Sequence, residues 1–168
     1  MKKTFFILLF LLFFLVAPIS ATEVYDLVRV GITDNNFQNV LRQTATLYGT
    51  ADCTICDKYS KRILLNVNAN SNIVVRNSLS GMQVTVGEQT ANLRDFVVVC
   101  PSGLIGIKDL KRKGQPAIYH GVFEVVQNPD HTGFYLVNLV EIQEYLKGVV
   151  PNEMPIRFGL EALKAQAV

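Results

Sequence analysis

The chain has little of what the commonest enzyme signatures are built from. Only three cysteines and two histidines occur among its 168 residues. No serine stands in a Gly-X-Ser-X-Gly elbow, no Cys-His pairing is evident, and no phosphate-cradling glycine loop is present. Serine or cysteine nucleophiles and nucleotide binding therefore find no support. Net charge is lacking too. The formal balance is +2, from 16 Lys+Arg against 14 Asp+Glu. Lys2 and Lys3 account for two of the 16, and both fall in a leader, so the chain after it is balanced at 14 against 14. A near-neutral chain offers no electrostatic footprint for nucleic acid or for an acidic membrane surface. There is no internal repeat, and no low-complexity tract outside the leader.

That leader is Met1 to Ala21. Lys2 and Lys3 form a basic start, Phe5 to Ala17 is wholly apolar, and Pro18-Ile19-Ser20-Ala21 offers a cleavage site after Ala21. As a helix the apolar run reaches about 20 Å, short of the roughly 30 Å hydrocarbon core. The expectation is a signal peptide and export to the cell envelope or medium. An uncleaved leader acting as membrane anchor is the alternative, and the only membrane attachment expected. The remainder is long enough for one ordinary core or a small two-module arrangement.

Beyond the leader the pattern is strand-rich. Val28–Ile32 and Met82–Val86 alternate, and Ile63–Val67 and Ile73–Arg76 flank the polar turn Asn68–Asn72. Phe37–Tyr48 carries a mixed strand signal, and the apolar run Phe96–Cys100 predicts a buried strand. Lys108–Gly114 (KDLKRKG) reads as a solvated basic loop. Ala117–Val126 and Gly133–Val140 read as a hairpin around Asn128–Gly133. Strands followed by helices indicate α+β: a β-rich module over residues 26–115, then a hairpin and the start of a helical catalytic region over 117–168.

The cysteines allow several readings. Cys53 and Cys56 form the only close pair, and an exported chain meets no compartment that keeps thiols reduced. A local Cys53–Cys56 disulfide is the plain expectation. The alternatives are a zinc site, in which Cys53 and Cys56 are joined by Cys100 and by His120 or His131, and a redox pair, although no βαβ pattern surrounds it. His131 reads as an exposed turn residue, and His120 as a packed or edge residue of a strand. No cofactor is expected.

The most informative stretch is Asn138 to Val168. Ile142, Tyr145, Leu146 and Val149 make one apolar helical stripe, with Glu141 and Glu144 early and Lys147 late, as the helix dipole favours. Pro151 is expected to stop this helix and push Val150 toward an extended conformation. A second pattern comes next, with Leu160, Leu163 and Ala167 on one face. Between them Asn152-Glu153-Met154 is bracketed by Pro151 and Pro155, which restricts its backbone. Glu153 is thus a carboxylate held at the mouth of a helix pair.

The motifs EYLKGVVPNEMP and LEALKAQAV, in this order and spacing, resemble the signature of the stage II sporulation protein D and amidase enhancer family over roughly residues 117–168. The chain has Leu139 and Gln143 where the family pattern usually carries glutamate. The resemblance implies action on bacterial peptidoglycan. Sporulation-type members are lytic transglycosylases that cut glycan strands already stripped of stem peptides, with the glutamate of the EMP motif as catalyst, which lands on Glu153. Other members enhance a cell-wall amidase and need not cut anything. One carboxylate suffices for a lytic transglycosylase, because the muramic acid's own C6 hydroxyl attacks the anomeric carbon in place of water. The acid must start protonated, which burial against Met154, Ile156 and Phe158 would favour. The structural alternative is a glutamate that caps the second helix or is solvated. Tyr145 and Phe158, with Phe134 and Tyr135, are candidate stacking faces for sugars, with core packing the plainer role of each. The second helical pattern is still running at Val168 and the family signature continues further, so the expectation is a chain that stops within the domain.

Overall fold

The computed structural model describes residues 26–153 and 159–166. The leader and Met154, Ile156 and Phe158 lie outside them. Two antiparallel sheets form from the alternating segments. The first has the spatial order β1 (Leu27–Gly31), β13 (Phe134–Glu141), β12 (Val122–Gln127), β9 (Phe96–Val99), β4 (Cys53–Asp57) and β5 (Ile63–Val67), with β2 (Leu41–Arg42) also on β13. The second runs β11 (Gln115–Tyr119), β10 (Ile105–Arg112), β3 (Thr44–Gly49), β6 (Asn72–Ser78), β7 (Gly81–Val86) and β8 (Gln89–Leu93). Helices α1 (Ile142–Glu153) and α2 (Leu160–Gln166) come last. This is a β-rich module leading into helices.

Period-two patterning decides which faces meet. In β13 every second residue, from Phe134 to Val140, is buried. Ile55, Phe96, Val98, Phe123, Val125, Phe134 and Leu136 from the first sheet join Leu47, Ile73, Val75, Met82, Val84, Ile105 and Ile107 from the second in one core cluster. Strands before and after residue 116 therefore share that core. On the other face of the first sheet, buried Glu124 accepts from Arg29 at 2.6 Å and lies 3.5 Å from the Lys58 ammonium. A carboxylate so nearly out of water needs such partners.

Three expectations are corrected. Ala117–Val126 is not one strand: β11 belongs to the second sheet and β12 to the first. The chain changes sheets at Gly121, whose φ is +88°, and a Cβ there would run into the carbonyl oxygen of Leu139. Only glycine meets both demands. Gly121→Ala is accordingly expected to destabilise the fold by about 3 kcal/mol, combining left-handed strain with a backbone clash. Chemical denaturation measures this, and a loss below about 0.5 kcal/mol would refute the argument. Lys108–Gly114 is likewise not a loop. Lys108 to Arg112 belong to β10, where Leu110 is buried while Lys108, Asp109 and Lys111 stay exposed beside a register shift.

The third correction concerns the cysteines. Cys53 is bridged to Cys100, and Cys56 is a buried free thiol. Three residues of extended strand separate Cα atoms by about 10 Å, beyond disulfide reach, so Cys53 and Cys56 on one strand cannot close on each other. Cys53 and Cys100 instead lie where the β4–β9 register, with Thr54 opposite Val99, brings them face to face. The bridge also removes Cys53 from the zinc and redox alternatives.

Candidate functional site

Helix α1 is set on the sheet by its first residue, whose amide donates to the carbonyl of Asp26 at 2.9 Å, and it packs against β13 and β1. Its stripe Ile142, Tyr145, Leu146 and Val149 is half-buried, while Gln143 and Lys147 point to solvent. Pro151 does not stop it: the helix continues to Glu153. A proline takes away one amide donor, and so close to a helix end the residues just beyond it can stay helical.

Between α1 and the sheets lies a cleft of about 360 Å³. Ile32, Ala117 and Val140 form its buried apolar floor. Arg112 from β10, Tyr119 from β11, His120, Asn138 from β13, and Glu144 and Tyr145 from α1 supply its polar and aromatic wall. The switch of sheets at Gly121 is what carries Tyr119 and His120 to this rim.

Each polar group has a definable state. Lys147 Nζ donates to Glu144 Oε1 at 2.5 Å, and this hydrogen bond, with the charges of Lys147 and His120, holds the Glu144 carboxyl below its ordinary range. His120 Nδ1 lies 4.0 Å from Glu144 Oε2. Glu144 is therefore ionised at neutral pH and suited to orient cations, not to give up a proton. Asn138 donates through Nδ2 to the carbonyls of His120, at 2.8 Å, and Val122, at 3.4 Å. Arg112 donates through Nη1 to Asp34 O and through Nη2 to Thr33 O and Oγ1, and its guanidinium sits 4.4 Å from the Phe37 ring centroid. The Asp34 carboxyl, held below its usual range by hydrogen bonds from Gln38, Asn39 and Asn36, fixes that loop.

Of the residues singled out in the sequence, Tyr145 lines the cleft. Glu153 is the last residue of α1, and Phe158 lies outside the described residues. Helical spacing puts position 153 one turn beyond Val149 on the row Tyr145, Val149, Glu153, and the first two of these line the cleft. Phe134 is wholly buried in the core, which removes it as a sugar platform, and Tyr135 is half-buried on the opposite face of β13. Arg112, Tyr119 and Asn138 are site residues that sequence reasoning misses. The one hint in the sequence is the KDLKRKG run, which reads there as a solvated loop.

This helix, its row and the strand feeding it fall in a segment with a recognisable family pattern. Residues 130–168 match the SpoIID family, stage II sporulation protein. The SpoIID segment begins in the β12–β13 turn and takes in β13, α1 with Glu153, and α2. It supports a cell-wall-related function of the sporulation type. No curated protein and no solved structure matches the chain. Among the described residues, no group of three or more His, Cys, Asp and Glu could hold a metal ion, and no helix is long and apolar enough to cross a membrane.

Proposed function

We propose that the protein is a peptidoglycan lytic transglycosylase in which Glu153 acts as both acid and base on denuded glycan strands. The observation that supports this reading is the helical row Tyr145, Val149, Glu153: its first two members line the cleft, and its third is the EMP-motif glutamate, which falls within the SpoIID segment. In the proposed step Glu153 gives its proton to the glycosidic oxygen as the bond to the anomeric carbon breaks. The C6 hydroxyl of the same muramoyl residue attacks that carbon and returns its proton to Glu153. The products are a 1,6-anhydro end and a free hydroxyl end, with no water consumed. The negative end of a helix dipole disfavours a second negative charge, and the last turn of α1 carries no basic residue to offset it. Export by the Met1–Ala21 leader belongs to the same reading, and the Cys53–Cys100 bridge accords with an oxidising compartment.

The test is digestion of stem-peptide-free strands by the full-length protein, with products read by mass spectrometry. Anhydro ends from wild type are expected. Intact strands, together with faster hydrolysis of whole wall by an N-acetylmuramoyl-L-alanine amidase, would replace the enzyme reading with an amidase-enhancer one.

A further inference from the structure

We infer that the cleft beside α1 binds a sugar through a free carboxylate, with Arg112 as the partner of that anion. The inference rests on the reading of glycan strands as substrate and adds the feature of the strand that is recognised. It starts from a charge left over. Among the described residues every hydrogen-bond partner of Arg112 is neutral: two backbone carbonyls and a hydroxyl, with an aromatic ring beneath. Among the described residues no carboxylate lies within ion-pair distance of it. The other full charge on the cleft wall, Glu144, is already matched by Lys147. Among the described residues Arg112 is thus the full charge on the cleft wall that no opposite charge matches.

The guanidinium is also held for the task. It carries five N–H donors, and three are spent on the Thr33–Asp34 loop, which leaves Nε–H and one Nη1–H. A cation fixed by neutral groups keeps its full attraction for an anion, and charge-assisted hydrogen bonds to carboxylate are the strong ones. The rest of the wall suits a sugar. Tyr119 and Tyr145 line it with aromatic rings suited to ring C–H groups, and the apolar floor suits a methyl. Asn138 spends its Nδ2 on the backbone and keeps Oδ1 as an acceptor for an amide N–H such as that of an acetamido group. An apolar cleft with a few convergent polar groups is the ordinary form of a small-ligand site. A muramoyl residue whose stem peptide has been removed bears both an acetamido group and a free carboxylate. One whose peptide is intact has lost that carboxylate to an amide bond.

The experiment is calorimetric titration of the full-length protein with four probes: N-acetylmuramic acid, its methyl ester, N-acetylglucosamine, and an acetylated dipeptide with a free C-terminal carboxylate. The acid is expected to bind at least about tenfold more tightly than the other three, with a preference that weakens as salt is raised. Arg112→Gln should bring the acid down to the level of the ester. Equal binding of acid and ester, or no binding of the acid, overturns the inference on wild type alone, even if Arg112→Gln folds poorly. Equal binding of the dipeptide overturns the sugar assignment. Because the probes have no bond to cut, failure of strand cleavage with the acid preference intact would sink the catalytic reading and leave this one standing. Cleavage without the preference would do the reverse.

Discussion

Glu153→Gln is expected to lower the rate of strand cleavage by about 10²–10⁴-fold, with little change in KM. The amide is nearly isosteric with the carboxyl and still donates and accepts hydrogen bonds, so binding of the strand should survive. What it cannot do is transfer a proton to the leaving oxygen or take one from the attacking hydroxyl. Where one group carries both duties, no partner carboxylate remains to supply part of the rate, so the loss belongs at the upper end of that range. Glu153→Asp keeps the chemistry and withdraws it by one methylene, and should retain more activity than the glutamine variant. A thermal melt of each variant separates lost chemistry from lost fold. Glutamine and wild-type rates within a factor of a few would end the case for Glu153 as catalyst, whatever products wild type makes.

The contrast between α1 and the cleft it borders marks what could be read from the sequence. The stripe Ile142, Tyr145, Leu146 and Val149 is a local signal, because a helix repeats within one turn, and it proves to be the half-buried face. The strands β1, β5, β6, β7 and β9 and the Asn128–Gly133 turn are legible for the same reason. In that turn Asn128 accepts at Oδ1 from Gly133 N and so closes the loop, and His131 adopts a φ of 55°. The failures are non-local. Whether Lys108 to Arg112 is a loop or the end of a strand depends on β11, which pairs with Lys111 and Arg112. Glycine at 121 is visible in the sequence, but that the chain passes between sheets there in a left-handed bend, with the Leu139 carbonyl where a Cβ would stand, is set by the pairing of distant strands. Pro151 misleads in the other direction: the bond it removes and the crowding it causes fall on the turn before it, and the two residues after it remain helical. Arg112, Tyr119 and Asn138 belong to three different strands, and no spacing rule joins residues that meet only when both sheets and α1 are in place.

Cys53–Cys100 is the clearest such case, and losing it is expected to cost about 4 kcal/mol. The bridged residues are 47 apart in sequence, and closing a loop of that length in the unfolded chain removes entropy worth about that much at 25 °C. Native strain is not needed for the estimate, because β4 and β9 pair in register and bring the two residues together unaided. Urea titrations of the oxidised protein and of a Cys53→Ala, Cys100→Ala variant measure the difference, and equal midpoints would contradict it. Alkylation under denaturing, non-reducing conditions should label Cys56 and neither of the others. Gly49 supplies an independent check. A Cβ there would overlap Cys53 Sγ and lie 2.8 Å from Cys100 Sγ, with Ala51 O at 2.7 Å. Gly49→Ala should therefore be severe while the bridge is present and milder once both sulfurs are gone, leaving only the clash with Ala51 O. The coupling energy of that cycle should be about 1–3 kcal/mol, the range for groups in direct contact. Strict additivity would mean that the bridge does not sit over Gly49, and that the junction of β3 and β4 owes its glycine to the backbone alone.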